Sequence, residues 1–295
     1  MPAPRHGHRV EAIEGGLLAF GGFGDPGLPD RGARETWWLA PGAGSWQRRA
    51  DLGRGRAFFS SAVVDGSVYA VGDGVERYDV AADRWIEVVP PGALPVSHFA
   101  AAALGRTIFV LGGFPADCGG LHAVDLDVAG HAATVRDQPS PPGFKPSDHF
   151  HVVQALGGRL HVIGGLDVES FEPRREHWIL GAGGFEAQAP PPSGIWAKFT
   201  VQAVVGDELY LFGDSGSWRF EAATGRWARR AAPGRTLVMA PSVAIDGTIW
   251  VVGGMEVGSD RSPLLAYDVA ADAWRDAAPG SDEGPKLPDR PKEPP

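Results

Sequence analysis

One short stretch, Ile108-Phe109-Val110-Leu111-Gly112-Gly113, recurs in altered form along the whole chain. In each copy an apolar run ends in a glycine doublet, or in Gly-Asp in the second and fifth copies. The six doublets lie at 21–22, 72–73, 112–113, 164–165, 213–214 and 253–254. Successive copies are 40 to 52 residues apart, a period that indicates a repeat architecture.

Two further signals flank each doublet. Upstream, a tight turn such as Asp65-Gly66 or Asp246-Gly247 joins the apolar run to another one, which predicts a hairpin. Downstream, two positions seven residues apart are both aromatic in four copies: Tyr78/Trp85, Trp178/Phe185, Phe220/Trp227 and Tyr267/Trp274. Large rings at these positions fill the gap between neighbouring sheets. Each copy therefore predicts four short strands, A to D, and the fold class is all-β.

The glycine doublet, a Tyr-Asp pair and a tryptophan seven residues after the tyrosine make the chain resemble the kelch-repeat family; Tyr78-Asp79 and Tyr267-Asp268 carry the mark most fully. The resemblance covers residues 5 to about 280. It implies a single six-bladed β-propeller of kelch type with four antiparallel strands per blade. The expected blades are 5–55, 56–95, 96–147, 148–196, 197–236 and 237–280, and residues 281–295 are expected to form a disordered tail.

The composition excludes several other classes. The 42 Gly and 26 Pro leave little room for long helices, while 10 Trp and 14 Phe can build a core. A single cysteine, Cys118, excludes an intrachain disulfide, and a net charge of −9 argues against nucleic acid as a partner. No apolar run is long enough for a membrane span. The expectation is a monomeric, cytoplasmic protein; the absence of Asn and the excess of Arg over Lys suggest a bacterial gene.

The repeats differ mainly between strands B and C. The distance from the first glycine of the doublet to the strand C aromatic position is 18, 6, 12, 14, 7 and 14 residues in blades 1 to 6. In an up-and-down blade the B–C and D–A connections emerge on the same face. Function usually lies on the variable loops of a rigid scaffold, so this face is predicted to be the functional one.

The segments that lead into strand A are expected to line the mouth on that face. Five of the nine histidines lie in these segments, together with basic and aromatic residues. This composition predicts a funnel for a small anionic or carbohydrate-like molecule. The candidate ligand-binding residues are Arg5, Arg56, Phe58, His98, Trp196, Lys198 and Arg235. For Arg5 and Arg56 a structural role remains open, because an Arg at this position of a kelch repeat often bonds the next blade.

Two further groups of residues that include aspartates are candidates for the site. Asp148, His149 and His151 form a cluster that no repeat position requires, and they are the candidate catalytic acid–base groups. A carboxylate beside imidazoles is expected to keep at least one histidine partly protonated near neutral pH. Asp73 and Asp214 replace the second glycine in blades 2 and 5, which oppose each other in a six-fold ring. They either cap their own short loops or point inward as a ligand-binding pair.

The family resemblance also sets tests for metal chemistry. Galactose oxidase needs copper with two tyrosine ligands, but the four tyrosines here all occupy repeat positions. Plant nitrile-specifier proteins carry Glu-x3-Asp-x3-His for iron, whereas Glu256 and Asp260 are followed here by Leu264. No metal or cofactor is therefore predicted. The bacterial N-acetylneuraminate mutarotases are similar in architecture, which implies metal-free acid–base chemistry, with Arg56 or Arg235 holding a carboxylate.

Two functions from different classes remain open. The first is a small-ligand site in the funnel, possibly catalytic with isomerase-like chemistry. The second is a non-enzymatic scaffold that binds a protein through the long B–C loops at 23–35, 114–121, 166–176 and 255–262. A closed pocket with Arg56, Asp148 and Arg235 converging would favour the first. A flat apolar rim built from Phe23, Phe114 and Phe171 would favour the second.

Overall fold

The computed structural model describes residues 4–24, 32–41, 43–146, 148–259 and 263–277. Parts of the first and last long loops, Asp260 and the predicted tail at 281–295 lie outside these residues. Within them the chain forms a six-bladed propeller. In every blade four antiparallel strands follow one another in the order A, B, C and D.

The first three blades account for residues up to 138. Blade 1 consists of β1 (Arg9–Ile13), β2 (Gly16–Phe20), β3 (Thr36–Leu39) and β4 (Gln47–Arg49). Blade 2 consists of β5 (Ser60–Val64), β6 (Ser67–Val71), β7 (Val75–Asp79) and β8 (Arg84–Val89). Blade 3 consists of β9 (Ala100–Leu104), β10 (Thr107–Leu111), β11 (Leu121–Leu126) and β12 (Ala133–Gln138), with a 3-10 turn at Ala116–Cys118.

The last three blades follow the same plan. Blade 4 consists of β13 (Val152–Leu156), β14 (Arg159–Ile163), β15 (His177–Gly181) and β16 (Gly184–Ala187). Blade 5 consists of β17 (Thr200–Val205), β18 (Glu208–Gly213), β19 (Gly216–Glu221) and β20 (Arg226–Arg229), preceded by a 3-10 turn at Ala197–Phe199. Blade 6 consists of β22 (Ser242–Ile245), β23 (Thr248–Val252), β25 (Leu264–Asp268) and β26 (Ala273–Asp276), beside the short ladder of β21 (Leu237–Val238) and β24 (Met255–Glu256).

Each blade takes its four strands from one continuous stretch of chain, so no blade borrows a strand from the other terminus. The prediction from the common phase of the repeats is confirmed. The A strands β1, β5, β9, β13, β17 and β22 contact one another around the ring and enclose the central channel. Among the described residues, no helix has the length and apolar character needed to cross a membrane.

The glycine doublets let the lead-in segment of the next blade pass close over strand B. Gly21 has φ of +68°, and a Cβ there would lie 2.6 Å from the Phe59 ring. Gly22 donates its N–H to the Arg56 carbonyl at 2.7 Å. In blade 2 Asp73 does the same with the Pro95 carbonyl at 2.9 Å. The doublet is therefore a blade-to-blade joint, and φ > 0 is the reason for glycine in it.

The strand C and D aromatic pairs pack between the blades, as predicted. Ring centroids are 5.0 Å apart for Tyr78 and Trp85, and 5.2 Å apart for Tyr267 and Trp274. Tyr78 and Tyr267 are almost fully buried. Such aromatic pairs contribute about 0.5–1.5 kcal/mol each beyond the area they bury.

Main-chain hydrogen bonds join the six lead-in segments into a closed ring at the channel mouth. The donor and acceptor residues, with N···O distances, are Phe58 to Gly7 (3.0 Å), His98 to Phe58 (2.9 Å), Phe150 to His98 (3.3 Å), Ala197 to Phe150 (2.9 Å), Met239 to Lys198 (2.8 Å) and Gly7 to Met239 (3.5 Å). The ring fixes the mouth to the rigid part of the fold. It also closes the circle between blade 6 and blade 1.

Candidate ligand-binding channel

The channel encloses a cavity of about 390 Å³. Its wall consists of the A strands, and its mouth consists of the lead-in segments, so all six blades contribute. The volume lies within the range of small-molecule sites, ~300–1,000 Å³. The mouth opens on the face of the B–C and D–A connections, which is the face that loop variation predicts.

Four non-glycine residues at the mouth have left-handed backbone conformations. The φ angles are +55° for Phe58, +64° for His98, +56° for Phe150 and +50° for Met239. Bulky residues rarely adopt this region, and each such residue costs about 1–3 kcal/mol. The backbone ring holds them there, and their side chains line the cavity. Strain of this kind concentrates where a protein positions side chains for a ligand.

An aromatic wall follows from this arrangement. Phe58 lies 5.3 Å from the His98 ring, His98 lies 5.1 Å from Phe150, and Phe150 lies 6.1 Å from Trp196. Phe58, His98 and Phe150 line the cavity itself. The structure thus brings together the predicted Phe58, His98 and Trp196 along one side of the mouth.

Lys198 places its ammonium group among the aromatic rings at the mouth of the channel. Its Nζ lies 5.6 Å from the ring centroids of both Trp196 and Phe199, and 6.0 Å from that of Phe150. Within the described residues Lys198 has no carboxylate partner. Aromatic faces hold a cation without neutralising it. Lys198 therefore presents a net positive charge to the channel.

The histidines near the mouth are neutral at neutral pH. Burial lowers the pKa of His98, and the nearby His149 and Lys198 lower it further. Ser97 Oγ lies 2.7 Å from His98 Nδ1 and orients the ring. Burial also lowers the pKa of His149, and a hydrogen bond with the Asp148 backbone, followed by the Asp148 charge, offsets only part of this effect.

Of the predicted catalytic cluster only His151 lines the cavity, whereas Asp148 is closed off from it and His149 does not line it. The Asp148 side chain is fully buried, its Oδ2 lies 2.9 Å from Arg174 Nη2, and the same atom accepts the Lys145 N–H at 2.9 Å. His151 packs against Gly165, and burial followed by the charge of Arg174 lowers its pKa to about 3. The expectation of a partly protonated histidine is therefore wrong. Arg174 neutralises the carboxylate, and burial disfavours the imidazolium.

The three arginines predicted for the mouth are all engaged in ion pairs. Arg5 is buried, pairs with Glu35 and donates to the Gly21 carbonyl at 2.7 Å. Arg56 pairs with Glu76 at 2.6 Å, and both side chains are 4% exposed. Arg235 Nη1 lies 3.1 Å from Asp276 and 3.5 Å from Glu256. None of the three lines the cavity, so Arg56, Asp148 and Arg235 do not converge on a ligand.

The two doublet aspartates do not form a pair in the channel. Asp73 accepts the Gly92 N–H through Oδ1 at 3.0 Å, so its side chain caps the D–A connection after β8 rather than its own B–C loop. Asp214 is exposed in the turn between β18 and β19. Neither residue lines the cavity.

Sequence reasoning missed a polar group deeper in the channel. Arg9 Nε donates to Ser61 Oγ at 2.9 Å, and the Ser61 hydroxyl donates to the Glu11 carboxylate. Burial raises the pKa of Glu11, and the charge of Arg9 lowers it by less. On the other side of the channel, Gln154 and Gln202 contact each other with a donor–acceptor distance of 3.4 Å. Alignment of strand A across the repeats contained the signal, because four of the other five copies have alanine or valine at the position of Glu11 and only blade 4 has another polar residue there, Gln154.

The outer rim of the same face carries exposed apolar residues. Phe114 is 59% exposed, Phe171 70% and Val257 61%. Each belongs to a long B–C loop. Phe23 instead packs 5.2 Å from Phe58 and belongs to the mouth. The rim is thus partly as predicted, with Val257 in addition and Phe23 turned inward.

Comparison with known proteins points in one direction. No family model matches the sequence. The chain is 25% identical over 218 residues to Kelch-like protein 35 of Mus musculus, which is 69% of this chain and 34% of the relative. It is 24% identical over 254 residues to Kelch-like protein 25 of Xenopus tropicalis, which is 77% of this chain and 41% of the relative. It thus spans well under half the length of these relatives. A solved structure of YjhT superimposes with a TM-score of 0.72 at 12% identity, over 94% of this chain and 99% of that one, which shows a shared fold.

Proposed function

Because the chain is a kelch-repeat β-propeller with an open central channel, we propose that it binds a small anionic, sugar-like ligand there. The ligand enters from the face that carries the B–C loops and passes the aromatic mouth. Lys198 attracts its negative charge, and Phe58, His98 and Phe150 pack against its body.

The observation that carries the proposal is the unpaired Lys198. The protein has a net charge of −9, and the predicted mouth arginines all have carboxylate partners. A cation at a low-dielectric opening that has no carboxylate partner among the described residues focuses the electric field on the channel. An anion is the ligand that such a field concentrates.

Acid–base chemistry in the channel would need groups other than Asp148 and His151. Interconversion at a ring hemiacetal requires one acid and one base close to the ring. His98 and Glu11 both line the cavity, and burial lowers the pKa of His98 and raises that of Glu11, which brings the two closer to each other. We therefore assign any isomerase-like step to these two cavity-lining residues.

A thermal-shift screen tests the proposal. Sugar acids and phosphorylated metabolites are compared with neutral sugars and divalent metal salts. A ligand that binds only the folded state raises the melting temperature by an amount that grows with its concentration. We expect anionic sugars to raise it and neutral sugars to do so less.

Lys198→Met is the decisive variant, and Lys145→Met is its matched control. Lys145 carries the same charge but lies away from the channel and pairs with Glu169 at 2.7 Å. Loss of a hydrogen bond to a charged group lowers affinity by about tenfold or more. We expect this loss in Lys198→Met only. Equal affinity in both variants, or no response to any anion in the parent chain, would contradict the proposal.

A second function, protein docking, is favoured by the apolar rim. Phe114, Phe171 and Val257 are exposed on the B–C loop face, and exposed apolar groups of this kind mark interaction surfaces. The variant Phe114→Ser/Phe171→Ser is compared with Val128→Ser, whose side chain is 92% exposed on the opposite face. A partner that binds the parent chain and Val128→Ser but not the double variant would support docking. Equal binding by all three would exclude the rim.

A further inference from the structure

The six junctions between adjacent A strands provide a comparison within one molecule. The two positions to compare at each junction lie ten residues before a doublet and eleven residues before the next doublet. In the first junction these are Glu11 and Ser61, and in the fourth they are Gln154 and Gln202. The other four junctions hold Ala62 and Ala101, Ala102 and Val153, Ala203 and Ser242, and Val243 and Val10.

Only two junctions therefore carry long polar side chains at these positions. We call Arg9, Glu11 and Ser61 the charged seam, and Gln154 and Gln202 the amide seam. At these two positions of the remaining junctions the one polar side chain is Ser242, whose hydroxyl donates to the main-chain carbonyl of Gln202 at 2.6 Å. Removing charged groups from water is costly, and four junctions of the same ring close with small residues instead. Blade packing thus does not require the polar residues.

The two seams face each other. The charged seam lies between blades 1 and 2, and the amide seam lies between blades 4 and 5. They are three blades apart in either direction around a six-membered ring, and they occupy the same height along strand A. Both line the cavity of about 390 Å³.

Both seams retain hydrogen-bonding capacity. Arg9 uses Nε for Ser61, and in the described part of the chain no protein acceptor pairs with its two Nη atoms. The two amides share one long contact, so one carbonyl oxygen and further N–H donors remain for another partner. The amide seam thus offers a carbonyl oxygen and N–H groups, and the charged seam across the channel offers a guanidinium and a carboxyl group. Together these groups are complementary to a molecule with one anionic group and several hydroxyls.

We propose that the two seams bind a single polyhydroxylated acid across the channel. The anionic group of the ligand pairs with Arg9. Its hydroxyls exchange hydrogen bonds with Glu11 on one side and with Gln154 and Gln202 on the other. This inference rests on the proposed channel function and deepens it, because Lys198 at the mouth selects only for charge, whereas the seams select for hydroxyls as well.

The test uses three probes: glucuronate, glucose and adipate. They are respectively a hydroxylated acid, its neutral counterpart and a diacid without hydroxyls. Affinities are measured by isothermal titration calorimetry for the parent chain and for Arg9→Met, Glu11→Gln and Gln154→Leu. The matched control is Gln47→Leu, the same change on the exposed strand β4.

We expect the parent chain to bind glucuronate at least tenfold more tightly than glucose or adipate. Gln154→Leu should lose about tenfold in affinity for glucuronate, while Gln47→Leu keeps it. Arg9→Met should reduce the preference for glucuronate over glucose to the part that Lys198 supplies. Gln154→Leu changes no charge, so it tests whether the seams bind the ligand even if the Arg9 variant does not fold.

The outcomes separate this inference from the proposed function. If Lys198→Met loses glucuronate but Gln154→Leu and Glu11→Gln bind within twofold of the parent, the channel site stands and the seam proposal is wrong. If adipate binds as tightly as glucuronate, the preference for hydroxyls is wrong. If none of the three probes binds the parent chain, both proposals fail for this ligand class.

Discussion

Two cations introduced by equivalent lead-in segments have opposite surroundings. Arg56, before blade 2, is buried and paired with Glu76 of β7. Lys198, before blade 5, lies over three aromatic rings and has no carboxylate partner among the described residues. The sequence places both at the mouth of one funnel. The difference comes from strand C of each blade. In blade 2 this strand supplies Glu76 as a partner for Arg56, whereas in blade 5 it supplies no carboxylate partner for Lys198. A charged residue in a repeat is free for a ligand only where no neighbouring repeat position neutralises it.

The largest expected effect concerns the paired cation. Arg56→Met leaves Glu76 buried without its partner, which costs about 3–5 kcal/mol of folding free energy. Urea unfolding measures this loss. The control Arg54→Met breaks the more exposed pair with Glu87 and should cost less than about 1 kcal/mol. Equal losses in the two variants would show that the buried Arg56–Glu76 pair stabilises the fold no more than an exposed pair does.

Asp148→Ala extends the comparison to blade 4. It leaves Arg174 with Asp167 at 3.1 Å as its remaining close partner, so we expect a loss of about 3 kcal/mol. Ligand affinity should not change, because Asp148 does not line the cavity. Urea unfolding and titration of the same preparation check both points. A folded Asp148→Ala protein that no longer binds its ligand would show that Asp148 takes part in ligand binding, contrary to this prediction.

The buried histidines predict a dependence of stability on pH. Burial lowers the pKa values of His8 and His151 to about 3, and those of His161 and His177 to about 4. Their unfolded pKa is about 6.5, so the unfolded chain binds more protons in acid. Stability is therefore complete above pH 6.5 and is lost as the pH falls towards 4. Each histidine accounts for about 2 kcal/mol between pH 7 and pH 5.

His151→Phe tests this dependence at one position. Phe59 and Phe99 occupy the equivalent positions in blades 2 and 3, so the fold accepts the ring. The variant should lose less stability than the parent chain between pH 7 and pH 5, by about 2 kcal/mol. Urea unfolding at the two pH values gives the difference. An unchanged slope would mean that His151 is not neutral in the folded protein.

The smallest expected effect concerns the unpaired cation. Lys198→Met should change the unfolding free energy by no more than about 1 kcal/mol, since it breaks no ion pair among the described residues and loses only the cation–π contacts. Thermal unfolding without ligand measures this. A loss as large as that of Arg56→Met would show that Lys198 stabilises the fold and is not free for a ligand.

The propeller could be predicted because each local signal occurs six times. The doublet, the hairpin turn and the aromatic pair Tyr267/Trp274 all keep a constant spacing, and the structure confirms four strands per blade. The face on which the B–C and D–A connections emerge could also be predicted, because it depends only on the order of the strands. Both inferences concern periodic features, which a single sequence displays directly.

The site could be predicted only in part, because partners that are distant in sequence decide which charged groups are free. Arg174 neutralises Asp148 from 26 positions away, and Glu76 neutralises Arg56 from 20 positions away. Neither partner belongs to the repeat pattern. Glu11 was missed for the opposite reason, since it lies inside a strand where the expectation was an apolar core. Aligned by register, it stands out against Ala62 and its counterparts.

The most direct test of the account is a crystal structure of the protein with glucuronate. We expect ligand density inside the channel below Lys198, with the carboxylate at Arg9 and the hydroxyls near Gln154. An empty channel, with the ligand bound on the outer rim near Phe114 and Phe171, would contradict it.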